Sequence, residues 1–285
     1  MKLIRFGLPG GEKPGVQLPD GARIDVSDHV ADYTPAFFAS GGLEHLKSVV
    51  AQHEAACPRI AADMRLGPPI ARPHKFIAIG LNYRKHAAEV GAEAPKEPIV
   101  FTKHTSCIVG PNDDVIIPKG STKLDYEVEI AFVMKSKVRY LEKESDSLKH
   151  VAGFTICNDV SERNFQTERG PTWVKGKSAD SFGPLGPFLA TPDELPDYDK
   201  LPIGLKVNGE ARQNSSTDDL IFGIPHLIWY ISQFFTLEPG DVVTTGTPSG
   251  VAMGFKPPKW LKAGDVMELN IGKLGTQTQK VVARY

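Results

Sequence analysis

Cysteine is scarce in this chain. Cys57, Cys107 and Cys157 are three in 285 residues, odd in number and never spaced as CxxC. That excludes a disulfide frame and a thiolate zinc site, and it reads as reduced thiols in a cytosolic protein. Charge of one sign is also missing: 33 Lys and Arg face 34 Asp and Glu, for a net charge of −1. The chain as a whole therefore carries no bulk field for nucleic acid or an anionic membrane. Long apolar runs are absent as well. MKLIRFGL runs into Pro9, Gly10, Gly11 and Glu12 instead of a signal-peptide core, and Phe222–Phe235 is interrupted by Pro225, His226 and Gln233. Neither segment suits a bilayer, so a soluble, cytoplasmic protein is expected. No GxGxxG, HExxH or GxSxG occurs. Gly170–Ser178 imitates a phosphate loop, but five residues separate its glycines where that loop has four.

What is present is ordinary globular composition, 41% hydrophobic and 24% charged, with 27 glycines and 23 prolines that point to many turns and short strands. The length suits roughly two domains, or one large one, at about 150 residues each. Residues 1–70 read as a small leading unit. Strands are expected at Lys2–Phe6, Gly15–Leu18 and Ala22–Val26, helices at Thr34–Ser40 and Leu43–Ala56, and a proline-rich linker at Leu66–Pro73. In the second unit, 71–285, KFIAIG (Lys75–Gly80) is a buried strand, and Asn82–Val90 is a short helix that Asn82 could cap. Strands follow at Ile99–Thr102, Val115–Pro118, Tyr126–Met134 and Val151–Cys157, and later at Asp241–Thr245, Val266–Ile271 and Gln279–Ala283. A hairpin turns at Asn208-Gly209, and Ile224–Phe235 is a helix. Phe165–Lys177 mixes glycine, proline and tryptophan with charge and reads as an excursion or lid. Many strands with few, irregularly placed helices predict a β-rich α+β fold.

The sharpest chemical feature is DYEVEIAF at Asp125–Phe132. In a strand, Tyr126, Val128, Ile130 and Phe132 share one face, while Glu127 and Glu129 project from the other, about 7 Å apart. Two like charges so placed need either water or a cation, so the pair is either a solvated strand face or half of a carboxylate site for a hard divalent ion. Asp159 ends the apolar strand GFTIC-N, where it is either a helix N-cap or a third ligand. His86 and Glu89 stand at i and i+3 on the short helix after KFIAIG. They form either an exposed ion pair or a dyad in which the carboxylate orients an imidazole base.

Five blocks occur in order: IGLNY-x2-H-x2-E, DYEVEIAFV, GFTICNDVSER-x2-Q, KGKSADSFGPLGP and TTGTPSGV. Across roughly residues 72–283 this resembles the fumarylacetoacetate hydrolase family. The resemblance implies a mixed β-roll catalytic domain behind a small N-terminal domain, usually in a homodimer. It implies magnesium or manganese on Glu127, Glu129 and Asp159, and a His86–Glu89 dyad. It also implies Gln166 and Lys177 beside the substrate, and a Gly246-Thr247 loop near the substrate carboxylate. The leading unit and the sequence ERGPTWVKGKSADSFGP look most like the bacterial branch that cleaves 2,4-diketo-3-deoxy sugar acids such as the rhamnonate and fuconate derivatives. The implied reaction is metal-dependent hydrolysis of a C–C bond in a 2,4-diketo acid, giving pyruvate and a hydroxy acid. A hydratase, isomerase or oxaloacetate decarboxylase would use the same site, and a non-catalytic metabolite-binding protein would keep the metal without turnover.

Overall fold

The computed structural model describes residues 1–284. Two sheets dominate it, and the helices between strands are short. The larger sheet runs, in spatial order, through Arg23–Asp25, Lys13–Gln17, Lys2–Phe6, Gly183–Ala190, Val151–Asn158, Val128–Met134, Val242–Thr244, Phe76–Gly80 and Ile99–Lys103. Leu66–Gly67 pairs with the strand Lys2–Phe6, and Ile108–Val109 with Gly183–Ala190. A second sheet is ordered Glu210–Ser216, Pro202–Val207, Val266–Ile271, Thr276–Ala283 and Val115–Ile117. The central strands are buried along their whole length, Val128–Met134 and Val151–Asn158 among them. Sheets buried on both faces carry continuous apolar runs, and VEIAFVM and VAGFTICN are runs of that kind. The fold is the expected β-rich α+β arrangement.

Several local expectations change. The stretch read as a linker begins inside the sheet, because Leu66 and Gly67 register against Phe6 and Arg5. Lys2 and Leu3 register against Ala190 and Leu189, so strands from before and after residue 70 belong to one sheet. The strand expected from Tyr126 begins at Val128 instead. The Tyr126 N–H is taken by the Asp125 carboxylate at 2.8 Å and the Glu127 N–H by the Asn158 side chain at 3.2 Å, which removes both from the ladder. Asn208 and Gly209, at φ 51° and 80°, form the expected two-residue hairpin turn, which needs both residues left-handed.

The helix after KFIAIG spans Arg84–Glu89, and Asn82 does not cap it. Its amide donates to Thr245 O at 2.8 Å and Phe222 O at 3.0 Å, and its Oδ1 accepts the Phe222 N–H at 2.8 Å. Asn82 thus clamps three segments at the point where the parallel strands Phe76–Gly80 and Val242–Thr244 end together. Because these strands run the same way, the helix bearing His86 and the loop bearing Gly246 leave the sheet at one edge. Glu127 and Glu129, at the start of an antiparallel neighbour, lie at that same edge. Gly246 is required there: at φ 93°, a Cβ would come within 2.9 Å of the Asn82 Cβ and 3.1 Å of Ile79 O.

Replacing Asn82 by Ala strands buried backbone donors and acceptors in two loops. The Asn82→Ala variant should lose about 2–4 kcal/mol of stability, read from the urea midpoint. A loss below about 1 kcal/mol would show that the clamp is not structural.

Candidate active site and metal centre

The register of two antiparallel strands assembles the carboxylates. Val128 lies opposite Asn158 and Glu129 opposite Cys157, while Asp159 N–H donates to Glu127 O at 2.9 Å. Residues opposite one another share a sheet face, so Asp159 joins Glu127 and Glu129 on one side. Oxygen atoms from Glu127, Glu129 and Asp159 all lie within 4.8 Å of one another, and all three residues are buried. The solvated-face alternative is therefore excluded for Glu127 and Glu129. The N-cap alternative fails for Asp159, since the following helix, Arg163–Thr167, is capped by the Glu162 side chain. A buried cluster offering only carboxylate oxygens fits a hard divalent cation such as magnesium or manganese.

Cations hold the cluster together. Lys177 Nζ bridges Glu127 Oε2 at 2.5 Å and Asp159 Oδ2 at 2.9 Å. Lys103 Nζ donates to the other Asp159 oxygen and to the Lys177 carbonyl. Arg163 donates through Nε to Asp125 at 2.8 Å and through Nη2 to Glu127 at 2.5 Å. Asp125, Glu127, Glu129 and Asp159 thus face Lys103, Arg163 and Lys177, and all seven are buried. One negative charge is left over, and a divalent ion would convert it to one positive charge, which suits an anionic ligand.

Glu127 and Glu129 differ sharply. Burial alone would raise the Glu127 carboxyl, but Arg163 and then Lys177 outweigh it and hold the group at about 2. The Glu129 carboxyl is pushed well above the usual range, first by burial and then by the charges of Asp159 and Glu127. Its bonds come from uncharged donors, the Thr244 hydroxyl and Gly246 N–H at 2.8 Å. Of the clustered glutamates, Glu129 is thus the one that more readily takes a proton in the metal-free protein.

The dyad is formed and faces the same cavity. His86 Nδ1 lies 3.0 Å from Glu89 Oε2, and Glu89 Oε1 accepts the Gly250 N–H at 2.8 Å. With Nδ1–H given to the carboxylate, Nε2 is left as the basic nitrogen. His86 is buried, so the pair is not a surface ion pair. Glu89 is fixed from outside the helix by the Gly250 loop, and it holds His86 in turn.

A cavity of about 210 Å³ is lined by His86, Glu127, Glu129, Arg163, Gln166, Lys177 and Thr247. Gln166 Oε1 accepts from Arg163 Nη1 at 2.9 Å, which fixes the amide with its nitrogen uncommitted. Thr247 Oγ1 donates to Val128 O at 3.0 Å and accepts from Gln213 at 2.8 Å. Gly246 serves through its N–H to Glu129. The segment read as a lid is tied down at both ends by Arg163 and Lys177. Its two short helices, Arg163–Thr167 and Val174–Lys177, meet where a Cβ on Gly176 would lie 2.5 Å from Gln166. Only residues 167–172 form a continuous exposed stretch in it. Asp125, Lys103, Gln213 and the bracing role of Arg163 were not read from the sequence. Asp125 and Arg163 stand inside quoted blocks and so had a positional signal, whereas Lys103 closes the strand Ile99–Lys103 with none.

Comparison with known proteins agrees with this geometry. The family model described as fumarylacetoacetate (FAA) hydrolase C-terminal matches residues 75–282. A provisionally named hydrolase of Burkholderia multivorans is 48% identical over 280 residues, covering 98% of each chain. The solved fumarylacetoacetate hydrolase of Exiguobacterium antarcticum is 34% identical, with a TM-score of 0.85 over 100% of both chains. The maleylpyruvate hydrolase of Sphingobium sp. SYK-6, solved with manganese(II) and pyruvate, is 27% identical, with a TM-score of 0.81 over 99% of both chains. A carboxylate cluster, a cation brace and a histidine dyad on this sheet are thus found in a chain that belongs to the fumarylacetoacetate hydrolase family.

Proposed function

We propose that this chain is a metal-dependent hydrolase that cleaves the C3–C4 bond of a 2,4-diketo acid, releasing pyruvate and a second acid. The observation that carries the reading is that His86, held by Glu89, lines the same cavity as Glu127 and Glu129, with Asp159 clustered against those two carboxylates. Magnesium or manganese on those three residues would supply electrophilic polarisation of the 2-oxo acid end. His86 Nε2 takes a proton from water, whose oxygen attacks C4, and Glu89 supports the imidazolium. As C3–C4 breaks, its electron pair moves into the pyruvate enolate, which is then protonated at C3. Lys177 and the Gln166 amide face the developing negative charge. Decarboxylation of oxaloacetate needs no attacking water, so an oriented base supports hydrolysis over that alternative. The reading carries with it a cytoplasmic homodimer and a division into a small N-terminal domain (1–70) and a catalytic domain (71–285). The family match starting at residue 75 supports that boundary.

His86→Ala should leave magnesium binding nearly intact and lower kcat for acylpyruvate hydrolysis by ~10²–10⁴-fold. Glu89→Gln should shift in the same direction, and the double variant should be little worse than His86→Ala. Hydrolysis at the wild-type rate in His86→Ala would return the dyad to a structural pair.

Metal binding should be linked to pH through Glu129. Its folded carboxyl holds a proton at pH values where the unfolded one, near ~4.3, has lost it. The metal-free protein therefore loses stability as pH rises through the raised value, and the ion must displace that proton. Magnesium affinity should rise with pH, with proton release visible as buffer-dependent heat in calorimetry. Equal heats in buffers of different ionisation enthalpy would remove Glu129 as the proton site.

The two glutamates should also separate by mutation. Glu127→Gln and Glu129→Gln should both abolish magnesium binding. Glu127→Gln leaves Arg163 with only Asp125 and Lys177 with only Asp159, and should cost on the order of 3 kcal/mol in the metal-free protein, whereas Glu129→Gln should cost clearly less. Equal melting temperatures for the two variants would contradict the assigned charge balance.

A further inference from the structure

We infer that the part of the substrate beyond C4 is apolar, so that the chain takes alkanoyl- or aroylpyruvates. The inference rests on the hydrolase reading above and narrows it. Apart from the charged cluster and the dyad, the cavity wall is built from Leu81, Val90, Ile99, Phe101, Trp173 and Met253, with Ile79 and Gly80 behind them. Trp173 stacks edge-on against Phe101 with ring centroids 5.2 Å apart. It lies so close to the main chain that a Cβ on Gly80 would be 2.4 Å from its ring. Leu81 is held at φ 53°, a conformation that glycine or asparagine adopts more cheaply, so its side chain in the wall is what the strained backbone delivers.

The rim carries the same signal. Eight large hydrophobic side chains are exposed among the described residues, and three of them, Val90 (38%), Ile99 (36%) and Met253 (37%), line this one cavity. Clustered exposed apolar surface marks a binding site, whereas single exposed residues do not.

The charged groups of the lining are already engaged, and the free amide nitrogen of Gln166 is assigned above to the reacting end of the substrate. Arg163 and Lys177 are held by Asp125, Glu127 and Asp159, and His86 by Glu89. A second carboxylate on the substrate tail would find no uncommitted cation in the lining. The Thr247 and Thr167 hydroxyls both donate to main-chain carbonyls, at 3.0 and 2.9 Å. Most hydroxyl groups of a sugar-acid tail would be desolvated against the hydrocarbon side chains of this wall, at a cost for each one left unpaired. A hydrocarbon tail gains affinity in the same place. On this inference the sugar-acid branch suggested by sequence resemblance gives way to acylpyruvates with hydrocarbon tails.

A binding series tests the wall without relying on turnover. Oxamate, N-butyloxamate and N-phenyloxamate present one chelating head with different tails. Their binding to the magnesium-loaded protein can be followed by tryptophan fluorescence or calorimetry. N-butyloxamate should bind at least about tenfold tighter than oxamate, given up to about fourfold per fully buried methylene. Ile99→Asn should shrink that gain at least about threefold, and Val90→Thr, nearly isosteric, provides the check should Ile99→Asn fail to fold. In turnover, hexanoylpyruvate should exceed a 2,4-diketo-3-deoxy sugar acid in kcat/KM. Equal binding of oxamate and N-butyloxamate, a gain unchanged in both variants, or faster cleavage of the sugar acid would overturn the inference. Tail-dependent binding with no diketo acid cleaved would support the apolar wall and defeat the hydrolase reading alone.

Discussion

Four carboxylates buried at one sheet edge are the constraint on which the rest of this structure depends. Asp125, Glu127, Glu129 and Asp159 could not remain ionised together in a protein interior without compensation. Three cations supply most of it, and each does a second task. Arg163 spans Asp125 and Glu127 and so fixes the start of the helix that carries Gln166. Lys177 bridges Glu127 and Asp159 and anchors the far end of the segment between the two short helices. Lys103 joins Asp159 to the main chain of Lys177 and ties the edge strand Ile99–Lys103 to the cluster. The site is therefore also the joint between the sheet and the segment covering it. Removing a ligand from such a joint differs from removing a ligand on a surface, because the partner charges stay behind.

Topology explains why all these groups meet. Two parallel strands deliver the His86 helix and the Gly246 loop to the same edge, and the antiparallel neighbours begin and end there with Glu127, Glu129 and Asp159. Main-chain groups then stitch the loops together. Gly246 and Gly250 donate to Glu129 and Glu89, so one loop steadies both a metal carboxylate and the carboxylate of the dyad. Gln213 reaches from the second sheet to Thr247, Pro248 and Val128, which joins the two sheets at this loop. The distance between base and metal carboxylates is thus set by a single short turn and not by flexible segments.

Much of this was legible from residue order. The alternation in DYEVEIAF placed Glu127 and Glu129 together, the strand ending in Asn158-Asp159 supplied the third carboxylate, and i, i+3 spacing paired His86 with Glu89. Burial was not legible, because period-two alternation looks the same on a solvated face and on one packed beneath a second layer. The cation brace was invisible for a related reason: Lys103, Arg163 and Lys177 lie 18 to 56 residues from the carboxylates they pair with, and ion pairs at such separations leave no periodic trace. Asn82 was misread as a cap because an Asn before a helix commonly is one, and tertiary bonds to Phe222 and Thr245 override that local preference here. The linker reading of Leu66–Pro73 missed that its first two residues pair in the sheet, since two-residue pairings such as Leu66–Gly67 are too short to pattern a sequence.

The electrostatic centre and the apolar wall answer different questions about the substrate. The centre, one positive charge in excess once a divalent ion is counted, suits a small anionic head, and its geometry is fixed by ion pairs that a change of tail would not touch. The wall of Leu81, Val90, Ile99, Phe101, Trp173 and Met253 would, on the proposed reading, contact what lies beyond the reacting carbon, and it is built on loops, helix ends and the edge strand Ile99–Lys103. Substitutions in the wall alter packing without disturbing buried charge, so they are tolerated more easily than changes in the centre. A chain built this way can keep one chemistry at the head while its tail preference changes by a few side chains. For that reason membership of the family identifies the carboxylates and the base, while the substrate has to be read from the wall.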